Sequence, residues 1–188
     1  MAEATREIAV VELPPAGKYE LDLAHTAVEF VARHILTRVR GRFTDFSGWI
    51  DIAENPEESS AHVEIKTASI QTNTEQRDKH LKSDDFLNVE KWPVMTFTST
   101  AVRHTGGATF ELDGDLTIRD VTRPVTLRGE YLGTETNPYG KTVLAASAKT
   151  TLEREDWNVN WNMVLETGGF HVSKTIDLEI EVEALKTG

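Results

Sequence analysis

Residues 74–93, TEQRDKHLKSDDFLNVEKWP, are the one convincing helical segment in a chain whose other segments alternate like strands. Thr74 offers a helix N-cap, and Glu75 follows in the first turn, where the helix dipole favours negative charge. The segment stops before Pro93, because proline disfavours helical backbone in the residue that precedes it. We therefore predict a short helical insert around residues 74–86, and we expect it to close one end of a β-sheet structure.

The rest of the chain is dominated by period-two alternation of apolar and polar residues, which is typical of half-buried strands. Residues 18–24, 110–118 and 176–183 show the pattern most clearly. Turn signals separate about eight such strands at fairly regular spacing, which indicates a β-sandwich or a β-barrel. Alternation that lasts about ten residues exceeds the usual sandwich strand and favours an eight-stranded antiparallel barrel.

Small residues at inward positions bear on what the barrel contains. Gly48, Gly114 and Gly129 fall on predicted inward faces, as does Ala145 or Ala146. We expect them to leave room inside the closed sheet. An eight-stranded barrel is either just filled by its own side chains or able to hold one ligand. The alternation leaves both possibilities open.

Composition excludes several classes of function. The 31 acidic residues against 20 basic residues give a net charge of −11, whereas nucleic-acid binding needs a basic footprint. The chain has no cysteine, so it can form neither a disulfide framework nor a cysteine–zinc site. We expect no nucleic-acid partner, and the same net charge favours solubility.

The N-terminal region shows no targeting pattern. It lacks a basic segment followed by an apolar core, and no stretch approaches the ~20 apolar residues of a membrane-spanning helix. We expect a tail over residues 1–17, a single domain over residues 18–188, no integral membrane segment and a cytoplasmic location.

Catalytic motifs are missing from the sequence. The six histidines show no local zinc-binding spacing, and the serines and threonines have no nucleophile elbow. Arg77, Asp78 and His80 form the densest polar group, and they would either tie the helical insert to the barrel rim or meet the polar head of a ligand. We expect no catalytic residue, no metal and no cofactor. The alternative is a metal-dependent or hydrolytic enzyme that uses His34, His80 and Asp78.

Four blocks, in order along the chain, carry a resemblance: YELDLAHTAVEF (19–30), GRFTDFSG (41–48), RDKHLKSDDF (77–86) and GDLTIRDVTRPV (114–125). Together they resemble the YceI-like family, the polyisoprenoid-binding proteins with a lipocalin-like barrel. The resemblance implies an extended eight-stranded antiparallel barrel that holds one long amphiphile, such as an isoprenoid quinone precursor or a fatty-acid derivative. It implies no catalytic chemistry, and it implies a homodimer.

The favoured hypothesis is a non-catalytic carrier of a long-chain isoprenoid or other lipid, whose burial contributes about 0.8 kcal/mol per CH₂. Alternation predicts a lining of Phe30, Phe43, Ile50, Ile65, Met95, Phe97, Leu116, Leu127, Ile176 and Leu178, and the rim group of Arg77, Asp78 and His80 completes the ligand-binding set. A β-bulge would shift the assigned faces by one residue. A third possibility is a stress-related scaffold whose barrel is filled by its own side chains.

Overall fold

A closed antiparallel sheet dominates the computed structural model, which describes residues 12–187. Its segments are β1 (Gly17–Leu21), β2 (Ala27–His34), β3 (Thr37–Phe43), β4 (Phe46–Ile52), β5 (Ser60–Lys66), β6 (Ile70–Gln71), β7 (Val94–Gly106), β8 (Thr109–Ile118), β9 (Val121–Thr136), β10 (Thr142–Glu153) and β11 (Thr175–Lys186). Within the described residues the only α-helix is α1 (Glu75–Lys82), between β6 and β7. Of the predicted N-terminal tail, residues 1–11 lie outside the described residues.

The eleven segments occupy eight strand positions, because three long strands are each interrupted once. β1 and β2 both pair with β11, while β4 and β3 pair with β1 and β2 on their other side. β5 and β6 are separated by a 3₁₀ turn. Pairing then passes through β7, β8, β9 and β10 to β11, which closes the ring by pairing with β1. The predicted eight-stranded antiparallel barrel is therefore confirmed.

The up-and-down connectivity sorts the connections onto two ends of the barrel. The end that we call the turn end carries the connections 53–59, 107–108 and 137–141. The opposite end, which we call the helical end, carries the connections 35–36, 72–93, 119–120 and 154–174. The longest connections and α1 thus share one end.

Phe43 and Phe46 lie an odd number of residues apart and pack in the same core cluster, a spacing that predicts a bulge near Asp45; the structure has a break in the strand there instead. Thr44 and Asp45 leave the ladder and bond to the 3₁₀ turn at Thr67–Ser69 and its neighbour instead. The amide of Thr44 donates to the Ser69 carbonyl (3.3 Å), and the Asp45 carbonyl accepts from the Lys66 amide (2.9 Å).

A bulge does occur in β7, where the register shifts between Ser99 and Ala101. The extra residue moves the following side chains to the opposite face. Val102 consequently faces the interior, with the exposed His104 on the same face at the turn end, whereas strict alternation from Met95 predicts Ala101 at an inward position.

The helical insert is shorter than predicted. α1 ends at Lys82, and Ser83 takes an extended conformation with its amide donating to the His80 carbonyl (3.1 Å). Thr74 occupies the N-cap position, but its side chain makes no capping hydrogen bond. Its hydroxyl instead accepts from Arg77 Nη2 (3.1 Å), because the guanidinium turns back towards the start of the helix.

Candidate functional site

The ten apolar residues predicted to line the barrel lie at interior positions. Five are buried, namely Phe43, Met95, Phe97, Leu116 and Leu127. Four others are half-buried and pack against the buried clusters, namely Phe30, Ile50, Ile65 and Leu178. Ile176, also half-buried, pairs across the sheet with the buried Leu152. The middle of the barrel is thus packed with its own side chains.

Interior glycines do not leave the empty space that the sequence predicts. The Phe97 ring lies against Gly114, the Phe110 ring against Gly129, and a Cβ at either glycine would collide with the ring. A side chain at Gly48 would likewise collide with the backbone of β5. Gly114 and Gly129 therefore allow aromatic rings to pack against the backbone, and Gly48 allows two strands to approach closely. The expectation that these glycines leave empty space inside the barrel is wrong.

A cavity of about 180 Å³ opens at the turn end. It is lined almost entirely by apolar side chains, namely Ile50, Ile52, Val102, Phe110, Leu112, Tyr131, Leu144 and Ala146. Only Ile50 belongs to the predicted lining. The bulge in β7 brings Val102 inwards, and the other side chains lie nearer this end than the predicted set.

The segment before β1 reaches across the turn end. Leu13 and Pro14 line the cavity, and the fully buried Tyr19 donates its hydroxyl proton to the Pro15 carbonyl (2.8 Å). Burial raises the pKa of Tyr19 above its usual 10.0, which keeps the phenol neutral and able to donate. The segment of residues 13–15, held by this hydrogen bond, therefore partly covers the opening of the cavity at the turn end.

A second cavity, of about 110 Å³, lies at the helical end. Its walls combine apolar residues with six polar side chains from β2, the end of β6, α1 and the β10–β11 connection, namely Arg33, His34, Thr72, Arg77, His80 and His171. This cavity therefore differs from the cavity at the turn end, whose lining is almost wholly apolar.

Aromatic and imidazole rings form one wall of that cavity. His34 Nε2 lies 2.9 Å from His171 Nε2, so one ring donates the proton and the other accepts it. The Trp161 ring stands edge-on to His80, with centroids 4.6 Å apart. His80 is held from the other side by Asp85, whose Oδ2 lies 2.7 Å from Nε2.

Arg77 and Asp78 both bind Thr72, which is buried at the end of β6. Asp78 Oδ1 accepts from the Thr72 amide (2.7 Å) and from its hydroxyl (2.5 Å). Arg77 donates through Nε to the Thr72 hydroxyl and through Nη2 to the Thr72 carbonyl, each at 2.7 Å. The pair ties the first turns of α1 to the sheet. Arg77 and His80 also line the cavity, whereas Asp78 does not.

The residues of the enzymatic alternative are only partly brought together. His34 and His80 line the same cavity, but Asp78 is engaged by Thr72. Among residues 12–187, the one group of three potential metal ligands is Asp22, His25 and Glu183, whose residues line neither cavity. None of the three belongs to the enzymatic alternative.

Asp22 and His25 form an exposed hydrogen-bonded pair. His25 Nδ1 donates to Asp22 Oδ2 (2.8 Å), and Glu183 Oε1 lies 3.7 Å from the same nitrogen. The hydrogen bond, with the two carboxylates, raises the pKa of His25 above 6.5, and the same bond lowers the pKa of Asp22 below 3.8.

Arg154 is a buried residue that sequence reasoning missed. Its guanidinium donates to the Ser173 carbonyl (2.8 Å) and the Val159 carbonyl (2.7 Å), and it lies over the Phe86 ring. Burial lowers the pKa of Arg154. The side chain thereby folds the long β10–β11 connection onto the helical end. No sequence signal marks it, since a charged residue after a strand is expected to be solvated.

No helix within residues 12–187 has the length and apolar character needed to cross a bilayer.

Comparisons with known proteins agree on one relationship. The sequence matches the YceI-like domain over residues 19–184. A UPF0312 protein of Pseudomonas putida is 38% identical over 177 residues, covering 91% of this chain and 88% of the relative. A solved YceI protein of Campylobacter jejuni is 28% identical, with a TM-score of 0.72 and 100% of both chains covered. A polyisoprenoid binding domain from Saccharophagus degradans shares the fold, with a TM-score of 0.65 at 14% identity over 92% of this chain and 100% of that domain.

Proposed function

The chain belongs to the YceI-like domain family, and we propose that it binds and carries one long-chain amphiphilic lipid, isoprenoid or fatty-acid-derived, without catalysing a reaction. The lipid tail occupies the barrel interior. The Saccharophagus domain is described as polyisoprenoid-binding, which supports a barrel of this shape as a container for such a tail.

The observation that carries the proposal is an apolar barrel interior with a cavity at each end. The cavities measure about 180 and 110 Å³, while drug-sized ligands occupy pockets of about 300–1,000 Å³. Either cavity alone is too small for a long tail. A thin, flexible tail that runs through both cavities would span the barrel, and beyond the polar side chains of the helical-end cavity it would meet apolar side chains.

The packed centre must open for such a tail to pass. Phe97 covers Gly114 at mid-barrel, and glycine offers no side chain to hold the ring in place. We infer that the Phe97 ring swings away from Gly114 when a tail enters. The cost of this movement is offset by burial of the tail at about 0.8 kcal/mol per CH₂.

We infer that the polar head group of the lipid binds at the helical end. The histidines and Arg77 supply hydrogen-bond donors there, whereas the cavity at the turn end is almost wholly apolar. The tail would then point towards Leu144 and Tyr131.

A dansyl-labelled fatty acid tests the proposal by fluorescence enhancement, followed by displacement with unlabelled isoprenoid alcohols and fatty acids of increasing length. Each added methylene should tighten binding about fourfold until the interior is full. Phe97→Ala should bind long tails more tightly, since it removes the ring that separates the cavities. Leu132→Ala, at an exposed position, is the matched control and should bind like the wild type. Absence of probe uptake, or affinity independent of tail length, would overturn the proposal.

The proposal includes a homodimer and a cytoplasmic location, which rest on the family resemblance and on the sequence. Light scattering of the purified protein and fractionation of cells test them. A monomeric mass would refute the homodimer, and recovery of the protein outside the cytoplasmic fraction would refute the cytoplasmic location.

A further inference from the structure

Large apolar side chains stand in solvent at the helical end. Leu36 is 85% exposed and Val164 is 73% exposed, and the same surface includes Ile35, Met163 and Phe170 at 44%, 56% and 45%. We call these five residues the apolar tip. They come from two connections, the β2–β3 turn and the β10–β11 connection, that are far apart in sequence.

Backbone hydrogen bonds make the apolar tip one continuous surface. The Ile35 amide donates to the His171 carbonyl, and the His171 amide donates to the Met163 carbonyl, both at 2.9 Å. Val164 and Phe170 form an antiparallel bridge within the same patch. Three neighbouring stretches of chain therefore present their apolar side chains together, beside the cavity that His34 and His171 line.

The β2–β3 hairpin combines a strained backbone with an exposed apolar side chain, and both are unfavourable in water. His34 pairs with Thr37, so residues 35 and 36 form a two-residue loop, and Ile35 has a φ of 55°. That left-handed position is normally taken by glycine, and a β-branched residue there is strained. Leu36 adds an almost fully exposed side chain. Such local conflicts are expected at functional sites.

Two arginines flank the β2–β3 side of the apolar tip in a chain whose net charge is −11, while the exposed Glu166 lies on its β10–β11 side. Arg33 stands directly opposite Arg38 on neighbouring strands, an arrangement that is destabilising for like charges. Both are exposed, and neither forms an ion pair with another residue between positions 12 and 187. Lys174 lies 4.8 Å from the Phe170 ring centre, although it also pairs with Glu155 (3.4 Å).

One connection at the turn end contrasts with these arginines. Residues 53–59 carry Glu54, Glu57 and Glu58 and no cation, whereas Lys141 is the one charged residue of residues 137–141. Exposed apolar residues flanked by arginines suit the interface of a bilayer that contains anionic lipids, because the apolar groups enter the headgroup region while the cations meet phosphate. The acidic connection at the turn end would be repelled by the same surface.

We propose that the apolar tip docks the helical end onto an anionic phospholipid bilayer, where the cavity beside it exchanges the tail of a lipid with the membrane. The inference rests on the proposed carrier function for its purpose, but the docking itself depends only on the apolar tip and on Arg33 and Arg38. Contact with the bilayer compensates for the strain at Ile35 and the exposure of Leu36.

The first test is co-sedimentation with vesicles of phosphatidylcholine alone and of phosphatidylcholine mixed with phosphatidylglycerol. The wild type should bind the mixed vesicles. The double variant Ile35→Gly/Val164→Ser should bind them about tenfold more weakly, since it removes two apolar anchors. Arg33→Ala should lower the affinity about fivefold, with little effect on vesicles of phosphatidylcholine alone.

Two controls separate docking from damage to the fold. Ile35→Gly alone should keep or raise the thermal midpoint, because glycine adopts a positive φ without strain. Tyr139→Ser removes a side chain that is 90% exposed at the turn end, and it should bind vesicles like the wild type.

The second test uses the absence of cysteine from the chain. A polarity-sensitive fluorophore on Val164→Cys should shift to the blue when anionic vesicles are added, whereas the same fluorophore on Tyr139→Cys should not. A wild type that takes up the dansyl fatty acid but ignores anionic vesicles would overturn the docking proposal. So would tip variants that bind vesicles normally, or that instead convert a dimer to a monomer. Vesicle binding without uptake of the fatty acid would overturn the carrier function and leave the docking surface in place.

Discussion

Replacing Asp78 with alanine should destabilise the protein without abolishing its affinity for lipid. The carboxylate accepts two hydrogen bonds from Thr72, at 2.7 Å from the amide and 2.5 Å from the hydroxyl, and Thr72 is only 4% exposed. Asp78→Ala leaves both donors without an acceptor, and each orphaned buried donor costs about 1–3 kcal/mol. We therefore expect a loss of about 3 kcal/mol in the free energy of unfolding.

The expected change in the thermal midpoint follows from that loss of free energy and from the size of the domain. A domain of about 150–250 residues loses about 2–4 °C of midpoint per kcal/mol, so Asp78→Ala should melt about 6–12 °C below the wild type. Asp78→Asn keeps an acceptor oxygen but loses the charge, and it should cost about 1 kcal/mol.

Urea and thermal unfolding, followed by tryptophan fluorescence, measure both variants. The dansyl fatty acid then measures lipid affinity at a temperature where each variant is folded. If Asp78→Ala melts like the wild type and loses lipid affinity, Asp78 contacts the ligand and the structural assignment is wrong.

Three further predictions follow from individual contacts. Arg154→Leu removes the donors to the part-buried Ser173 carbonyl and the buried Val159 carbonyl, and it should cost about 2–5 kcal/mol by urea unfolding; an unchanged midpoint would show that the guanidinium does not organise the β10–β11 connection. Gly114→Ala should lower stability by about 1–3 kcal/mol, because the new methyl group collides with the Phe97 ring, and a wild-type midpoint in thermal unfolding would contradict that packing. Because the pKa of His25 is raised in the folded state, the pair with Asp22 stabilises the protein below pH 6.5 and loses this contribution as pH rises through the pKa of folded His25; Asp22→Asn should return that pKa towards 6.5 in an NMR titration, and an unchanged value would refute the pairing.

The barrel was predictable because strand alternation is a local signal that repeats along the chain. β8 and β11 keep period two over ten and twelve residues, so their inward faces follow directly from the sequence. The helical insert was predictable for a similar reason, since Pro93 and the turn residues around Asp84 bound it.

Departures arise where a long-range contact overrides the local pattern. The bulge beside Thr100 turns Val102 inwards, and nothing in the alternation of β7 marks the inserted residue. The break at Thr44 depends on hydrogen bonds to Ser69, which is 25 residues away.

The helical-end cavity was the least predictable part. His34 was singled out in the sequence, but its partner His171 and the neighbouring Trp161 lie in the aperiodic connection 154–174. Their positions depend on Arg154, whose role emerges only when the connection is folded. Arg77, Asp78 and His80 are neighbours in the sequence, but their division between Thr72, Asp85 and the cavity required the geometry.

Native mass spectrometry of the purified protein, with lipid extraction of the same sample, tests the central claim most directly. A barrel that carries an amphiphile predicts a complex of one protein chain with one long-chain lipid, released on denaturation and recovered in the extract. The apoprotein should regain that mass when isoprenoid or fatty-acid lipids are supplied. A protein that shows only its own mass before and after exposure to these lipids would contradict the account and identify the barrel as a filled scaffold.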